Sequence, residues 1–268
     1  MIARKTWRET RWMMVASFLI MEVLLFAAVM FWPKIAADLE QRIAFMKLLA
    51  PGEFIKRLLS TWGDHGFAAY IATQQFFKSA NTVGIATAVL IGTGAIAGER
   101  ENSTLELLLS RPVSRLRILW SKTWVLALCT AIPIFASTAT IPLLEHCIDA
   151  EYIKTGTNFG YLMHAAWHST LFSVAVLVAT LCLSSFIKSQ VQVAFAIGVI
   201  VIIQVGLYFI QVIRNGSAFM LSDHDVYWPI LAGNVHFWRF FFGQEIWILA
   251  ACCLLWAVAY LRFRRMDL

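Results

Sequence analysis

The sequence predicts an all-α membrane protein with six transmembrane helices, and three observations support this fold class. Of the 268 residues, 60% are hydrophobic and only 14% are charged, and the mean hydropathy is +0.70. Soluble domains contain about 25% charged residues. Six apolar runs approach the roughly 20 residues that a helix needs to cross a bilayer, and most charged residues lie between these runs. We therefore expect one transmembrane domain that covers residues 1–268.

The six predicted spans carry the boundary residues expected of membrane helices. Trp12 and Trp32 bracket the first span, where amphipathic rings sit at the two membrane interfaces. Pro133 and Pro142 lie in or near the third span, and proline is tolerated in membrane helices because neighbouring groups satisfy the freed backbone. The predicted spans cover approximately residues 13–31, 79–98, 123–144, 161–186, 191–213 and 245–261.

Two further kinds of helix are predicted outside the spans. Basic residues surround Trp7 before the first span, which indicates a short N-terminal helix that lies on the membrane surface. Residues 33–78 are too many for a simple turn, and apolar residues recur at helical spacing on both sides of Pro51-Gly52. We expect two short amphipathic helices in this first outer loop.

The distribution of basic residues predicts how the chain is oriented. An even number of spans places both termini on the same side, and cytoplasmic loops carry an excess of Lys and Arg. We assign both termini to the cytoplasmic side of a bacterial inner membrane. Thirteen of the 22 Lys and Arg residues then lie inside: Arg4, Lys5, Arg8, Arg11, Arg100, Arg111, Arg115, Arg117, Lys122, Lys188, Arg262, Arg264 and Arg265.

The same distribution excludes other functions for the basic charge. The basic residues behind the net charge of +6 are scattered over span ends, where they meet lipid headgroups, so no nucleic-acid surface is predicted.

The five cysteines include no CxxC pair, so neither a disulfide framework nor a zinc site is supported.

The stretch between the second and third spans, Gly98 to Lys122, has a local structure of its own; we term it the 98–122 segment. Ser103 and Glu106 have the spacing of a capping box, which predicts that a helix begins near Thr104. A run of leucines gives this helix an apolar face, and Pro112 ends it. Ser114 is then placed to cap the following helix.

This segment resembles the inner loop of ABC-2 type permeases, the membrane subunits of one class of ATP-driven exporters. The resemblance rests on an acidic residue after the second span, then Thr104-Leu105-Glu106, the run Leu107-Leu108-Leu109-Ser110, and Pro112-Val113-Ser114-Arg115. The sequence departs from the family pattern at Ser103, where glycine is usual. The close match covers about 25 residues, and the order of spans and basic ends resembles the family over the whole chain.

The resemblance implies a mechanism and a set of partners. The inner loop would form a coupling helix that docks on a separate cytoplasmic ABC ATPase, and two permease subunits, identical or paralogous, would pair in the lipid bilayer to export a substrate. No Gly-Lys dipeptide of a Walker A motif occurs, so we expect this chain to be no enzyme and to hold no cofactor, with ATP and Mg²⁺ on the partner. The residues that match the coupling motif are Glu99, Glu101, Ser103, Thr104, Glu106, Arg111, Pro112, Ser114 and Arg115.

Polar residues inside the spans offer alternatives to this interpretation. Glu22 and Gln204 are expected either to be hydrogen-bonded structural groups or to line a transport pathway or subunit interface. His164 and His168 lie one helical turn apart, and a hydrated span end explains them more simply than a metal, because no third ligand is evident. Two other classes of protein remain open: a non-transporting scaffold or sensor, and an intramembrane enzyme that uses Glu22 or the two histidines.

Overall fold

In a computed structural model of the chain, the structure describes residues 2–37, 53–105, 110, 113–153, 157–210 and 212–266. These residues form helices and connecting turns, with no strand among them. Six helices are long and apolar enough to cross a membrane, which confirms the predicted fold class. They are α1 (Ile2–Ala37), α2 (Ile55–Glu101), α3 (Arg115–Glu145), α4 (Phe159–Phe186), α5 (Gln190–Phe209) and, after the short helix α6 (His224–Leu231), α7 (Phe237–Arg264).

Three of the long helices contain departures from α geometry. In α2, π-helical stretches interrupt the α-helix at Ala72–Ala80 and Gly94–Gly98. The helix α3 consists of Arg115–Ala139 and Ile141–Glu145, joined at Thr140. A third π-helical stretch, Phe241–Glu245, lies near the start of α7. Short 3₁₀ turns occupy Ala150–Tyr152, Arg214–Gly216 and Ala218–Ser222.

The helices α2 and α4 form the centre of the bundle. In each, 67% of the most apolar stretch is buried, whereas the corresponding value is 22% for α1 and 17% for α5 and for α7. Large side chains such as Leu19, Phe195 and Leu254 are therefore exposed on the outer helices. In a membrane, lipid or another subunit covers such surfaces.

The N-terminal basic segment does not form the separate surface helix that we predicted. Residues from Ile2 onward are the first turns of α1 itself. Thr6 and Thr10 are buried there, and the hydroxyl of Thr10 lies 3.2 Å from Cys129 Sγ of α3. Packing against α3 explains why this segment continues the first helix.

The first connecting loop also differs from the prediction. The first of the two expected amphipathic helices, near residues 39–50, and Pro51-Gly52 lie outside the described residues. The second is Glu53–Ile71, which continues into the second span after a break at Gly66, where φ is 59° and ψ is −134°. Trp62 packs edge-on against Tyr70 across this break, with ring centroids 5.1 Å apart. The helix is therefore bent onto the bundle.

Candidate coupling surface at one end of the helix bundle

The 98–122 segment begins with a tight turn at the end of α2. The backbone N–H of Asn102 donates to Gly98 O and that of Ser103 donates to Arg100 O, both at 3.1 Å. Ser103 has a φ of +55°, in the left-handed region that favours glycine. An N-cap residue instead has an extended backbone, so Ser103 does not adopt the capping conformation that we predicted.

Thr104 and Leu105 have helical backbone, and the rest of the predicted coupling helix lies outside the described residues, so that helix stays a prediction. The hydroxyl of Thr104 donates to Glu99 O, and Leu105 is buried. Three residues of the predicted coupling motif, Glu106, Arg111 and Pro112, lie outside the described residues, so only the part of Glu106 in the predicted capping box stays a prediction.

Glu99 is the centre of a buried ion-pair cluster. One carboxylate oxygen lies 2.5 Å from the ammonium of Lys122 in α3, and the other accepts a hydrogen bond from Lys5 of α1 at 3.0 Å. Lys122 also donates to Ala95 O at 2.7 Å. The side chains of Glu99 and Lys122 are only 9% and 6% exposed. Glu99 thus ties the end of α2 to α1 and α3.

Glu101 connects the same turn to α5. Its carboxylate accepts a hydrogen bond from the backbone N–H of Gln190, the first residue of α5, at 3.0 Å. The first N–H groups of a helix have no partner within the helix, and a negative charge there is favourable. Glu101 therefore caps α5 from outside.

Arg115 connects the segment to α7. Its Nη1 atom donates to the carbonyl oxygens of Phe263, Arg264 and Met266, at 3.2, 2.8 and 2.6 Å. The carbonyls of Phe263 and Arg264 are in the last turn of α7 and that of Met266 lies just beyond it, where unpaired acceptors and a cation attract one another. As predicted, Ser114 caps α3, because its hydroxyl accepts the N–H of Arg117.

The predicted coupling residues thus connect one short segment to several helices. Glu99, Glu101 and Arg115 reach α1, α3, α5 and α7 from the end of α2 or the start of α3. We term this side of the molecule the loop end of the bundle. These contacts connect the 98–122 segment to the ends of the four helices.

Sequence reasoning missed three partners at the loop end. Lys5 and Lys122 neutralise Glu99, and Gln190 receives the cap from Glu101. A lysine within a helix that is otherwise apolar is a signal that a buried acid is near, because an unpaired charge there is costly. The sequence does not specify which acid it is.

The two polar residues predicted for a pathway or interface have structural partners. Thr140 donates to Glu22, 3.0 and 3.2 Å from its two oxygens, and Glu22 is half-buried between α1 and α3. Gln204 accepts the N–H of Ala218 at 2.8 Å and borders a largely apolar cavity of about 700 Å³ between α4 and α5.

His164 and His168 do not lie at a hydrated span end. His168 is fully buried, and His164 is 8% exposed. Both face the buried carboxylate of Glu245 in α7, with Oε1 3.3 Å from His168 Nδ1 and 4.0 Å from His164 Nε2. The expectation of a hydrated end was wrong because Glu245, which is 77 residues from His168, supplies a polar partner inside the protein.

A second polar cluster, Asp223, His224 and Asp225, is held by arginines. Arg57 and Arg214 both pair with Asp223, and Arg57 also pairs with Asp225 at 2.7 Å. Burial raises the pKa of Asp225, but the hydrogen bond and charge of His224 and the two guanidinium groups outweigh it, so this pKa lies below its usual value. The arginines compensate the acidic charge, which disfavours a metal ion here.

The six apolar helices define a multi-pass membrane protein, and the polar contacts at its loop end tie those helices to a short connecting segment. The chain belongs to the ABC-2 family of transporter proteins: the family model described as "ABC-2 family transporter protein" matches residues 2–220. The matched region contains α1 to α5 and the whole coupling motif. No individual curated protein matches the chain.

Proposed function

We propose that this protein is the permease subunit of an ABC exporter and that its 98–122 segment receives force from a separate cytoplasmic ATPase. Membership of the ABC-2 transporter family supports the permease function. The observation that carries the coupling role is the set of contacts made by Glu99, Glu101 and Arg115, which join the segment to four helices.

The 98–122 segment, which we also term the lever, must be stiff if it is to transmit a displacement. These contacts make it stiff. Charged hydrogen bonds are stronger than neutral ones, and those of Glu99 are shielded from water. Beneath the segment, an apolar cluster packs Leu105 against Ile118, Phe263 and Met266. Movement of the segment then changes the packing of α1, α3, α5 and α7 together, as a transition between two access states requires.

The assembly that we propose contains two permease subunits and two ATPases. The exposed apolar surfaces of α1, α5 and α7 leave room for a second subunit, identical or paralogous, beside the lipid. In this assembly the loop end and both termini face the cytoplasm of a bacterial cell, and ATP and Mg²⁺ are bound by the partner.

Not all of the motif residues play the same part in this proposal. Glu99, Glu101 and Arg115 hold the lever to the bundle, whereas Ser103, Thr104 and Ser114 shape its turns. Glu106, Arg111 and Pro112 belong to its centre, which we propose to contact the ATPase. Glu22 and Gln204 are proposed to line the pathway or the subunit interface.

The experiment is purification of the tagged chain from its native membrane in mild detergent, followed by mass spectrometry. We expect a protein with Walker motifs to copurify with wild type. Arg111→Ala should reduce its yield at least tenfold, while the exposed control Arg8→Ala should not. Equal ATPase yield from both variants, with equal amounts of permease in the membrane, would contradict the proposed contact.

A further inference from the structure

The end of the bundle opposite the loop end contains a buried group of acid and base side chains. His164 and His168 belong to α4, and Glu245 belongs to the π-helical stretch of α7. His168 lies 16 residues before Ser184, whose hydroxyl accepts the N–H of Ala97 at the loop end. At 1.5 Å per residue, the two sites are about 24 Å apart along α4.

Every polar atom of Glu245 and His168 faces a defined partner. Oε2 of Glu245 accepts a hydrogen bond from Trp167 Nε1 at 3.0 Å, and Oε1 lies 3.3 Å from His168 Nδ1. The other ring nitrogen of His168, Nε2, lies 2.7 Å from the carbonyl oxygen of Leu221. Both Glu245 and His168 have no exposed surface.

Counting hydrogens shows that this arrangement requires a proton. A carbonyl oxygen only accepts, so the contact with Leu221 places a hydrogen on His168 Nε2. In a neutral imidazole, Nδ1 then has no hydrogen and is itself an acceptor. An ionised carboxylate is also an acceptor, so the contact between Nδ1 and Oε1 is attractive only if one of the two atoms carries an additional proton.

We propose that His168 and Glu245 form a proton-binding site that holds one shared proton and joins α4, α7 and the turn at Leu221. With this proton present, all three hydrogen bonds are satisfied and the pair has no net charge. Without it, two acceptors face each other at 3.3 Å and a buried carboxylate has no counter-charge, which is strongly destabilising. Loss of the proton therefore loosens the contact between α4 and α7.

The side chains that surround the pair come from three helices, and two of these helices supply titratable groups. His164 Nε2, on α4, is buried without a hydrogen-bond partner and lies 4.0 Å from Oε1 of Glu245. Tyr227, on α6, has its ring 5.6 Å from that of His168 and donates its hydroxyl to Asn81. Phe240 of α7 packs on both histidine rings. Among the described residues that these contacts involve, only Glu245 is acidic.

Glu245→Gln tests the proposal because the amide reproduces the protonated pair without a titratable group. The amide nitrogen, in place of Oε1, donates to His168 Nδ1, and the amide oxygen, in place of Oε2, accepts from Trp167. We expect this variant to fold and to bind one proton fewer than wild type in the folded state. Glu151→Gln, which removes an exposed carboxylate, is the matched control.

The measurement is chemical unfolding of the full chain in detergent micelles between pH 5 and pH 9. The folded wild type binds one more proton than the folded variant, whereas the unfolded chains bind equal numbers above about pH 5, where an unfolded glutamate is ionised. The folding constant of wild type divided by that of Glu245→Gln should therefore fall tenfold for each unit by which the pH rises. This fall should end at the pH at which the pair loses its proton. Glu151→Gln should follow wild type.

Parallel pH profiles for wild type and Glu245→Gln would overturn the proposal. A Glu245→Gln chain that does not fold at any pH would also overturn it, because the amide supplies every hydrogen bond that the protonated pair needs. A third contrary outcome is a metal site: Zn²⁺ would then stabilise wild type, and Glu245→Gln or His164→Gln would abolish that stabilisation.

Discussion

The ammonium of Lys122 lies 2.5 Å from a carboxylate oxygen of Glu99, and both side chains are more than nine-tenths buried. This pair joins α2 to α3 directly beside the turn that starts the 98–122 segment. Removing Glu99 leaves Lys122 as an uncompensated buried charge, whereas removing both does not. Removing Lys122 alone leaves Glu99 paired with Lys5. The pair therefore makes a specific prediction for stability.

Glu99→Gln should lower the free energy of unfolding by about 3–5 kcal/mol, because it leaves the buried charge of Lys122 without a counter-charge. Lys122→Met should cost less than Glu99→Gln, because Glu99 keeps its ion pair with Lys5. The double variant should recover most of the loss caused by Glu99→Gln. Lys5→Met, which removes a partner whose side chain is 43% exposed, should cost about 1 kcal/mol or less. Unfolding in detergent measures all four variants, and additive losses in the double variant would disprove a direct pairing.

Arg115→Ala should fray the end of α7 because it removes the donor shared by three terminal carbonyls. Hydrogen bonds to charged groups contribute about 1.5–3 kcal/mol, so backbone amides near residues 260–266 should exchange at least tenfold faster. Arg117→Ala is the control: its side chain is exposed, and its backbone N–H still donates to Ser114. Hydrogen exchange with mass spectrometry gives the readout, and equal protection in both variants would refute the role of Arg115.

Ser103→Gly should stabilise the protein by up to about 1 kcal/mol, because a residue with a side chain is strained at a φ of +55°. Ser103→Ala keeps the Cβ atom and should give no such gain. The prediction also explains why glycine suits this position of the motif. Thermal unfolding of the three chains decides it: a destabilised glycine variant would show that the Ser103 hydroxyl makes a contact more important than the strain.

Gly66→Ala should destabilise the protein by about 1–3 kcal/mol, because a φ of 59° with a ψ of −134° is accessible mainly to glycine. A Cβ at this position meets no atom within 4 Å, so the cost comes from the backbone alone. Gly198→Ala, in the middle of α5 and with equally open surroundings, should instead stabilise by about 0.5–1 kcal/mol. Equal effects of the two substitutions on the unfolding midpoint would contradict the observed break.

Cysteines introduced at Ser110 and at Lys47 should react with an impermeant reagent from opposite sides of the membrane, because one full span separates them. The native exposed residues Cys147 and Cys253 are first changed to serine so that they do not react. Labelling of right-side-out and inverted vesicles should then give reciprocal patterns. Reaction of both positions in the same vesicle type would refute the proposed orientation.

The sequence predicted the features of this structure that depend on long apolar runs or on residues within one helical turn of each other. The six spans follow from apolar runs, and the cap of α3 follows from Ser114 beside Pro112, since a capping bond forms within one turn. The positions of the predicted coupling residues, near the end of α2 and the start of α3, follow from the predicted boundaries of the spans.

The partners of those residues could not be predicted, because they come from distant parts of the chain. Lys5 is 94 residues from Glu99, and Met266 is 151 residues from Arg115. His168 likewise has its carboxylate partner in a different span. The left-handed conformation of Ser103 was missed because a serine before a predicted helix usually caps that helix. Here the hydrogen bond from Ser103 N–H to Arg100 O, at the end of α2, determines the backbone conformation instead.

The two π-helical stretches of α2 give this helix a freedom that a regular α-helix lacks. A π-helical turn joins residues five apart instead of four, so each stretch contains a surplus residue relative to α geometry. Passing one surplus residue from one stretch to the other would turn the intervening part by about 100° and advance it by about 1.5 Å. The middle of α2, Asn81–Thr93, lies between two such stretches, so it has the means for a screw-like step while both ends of the helix stay anchored.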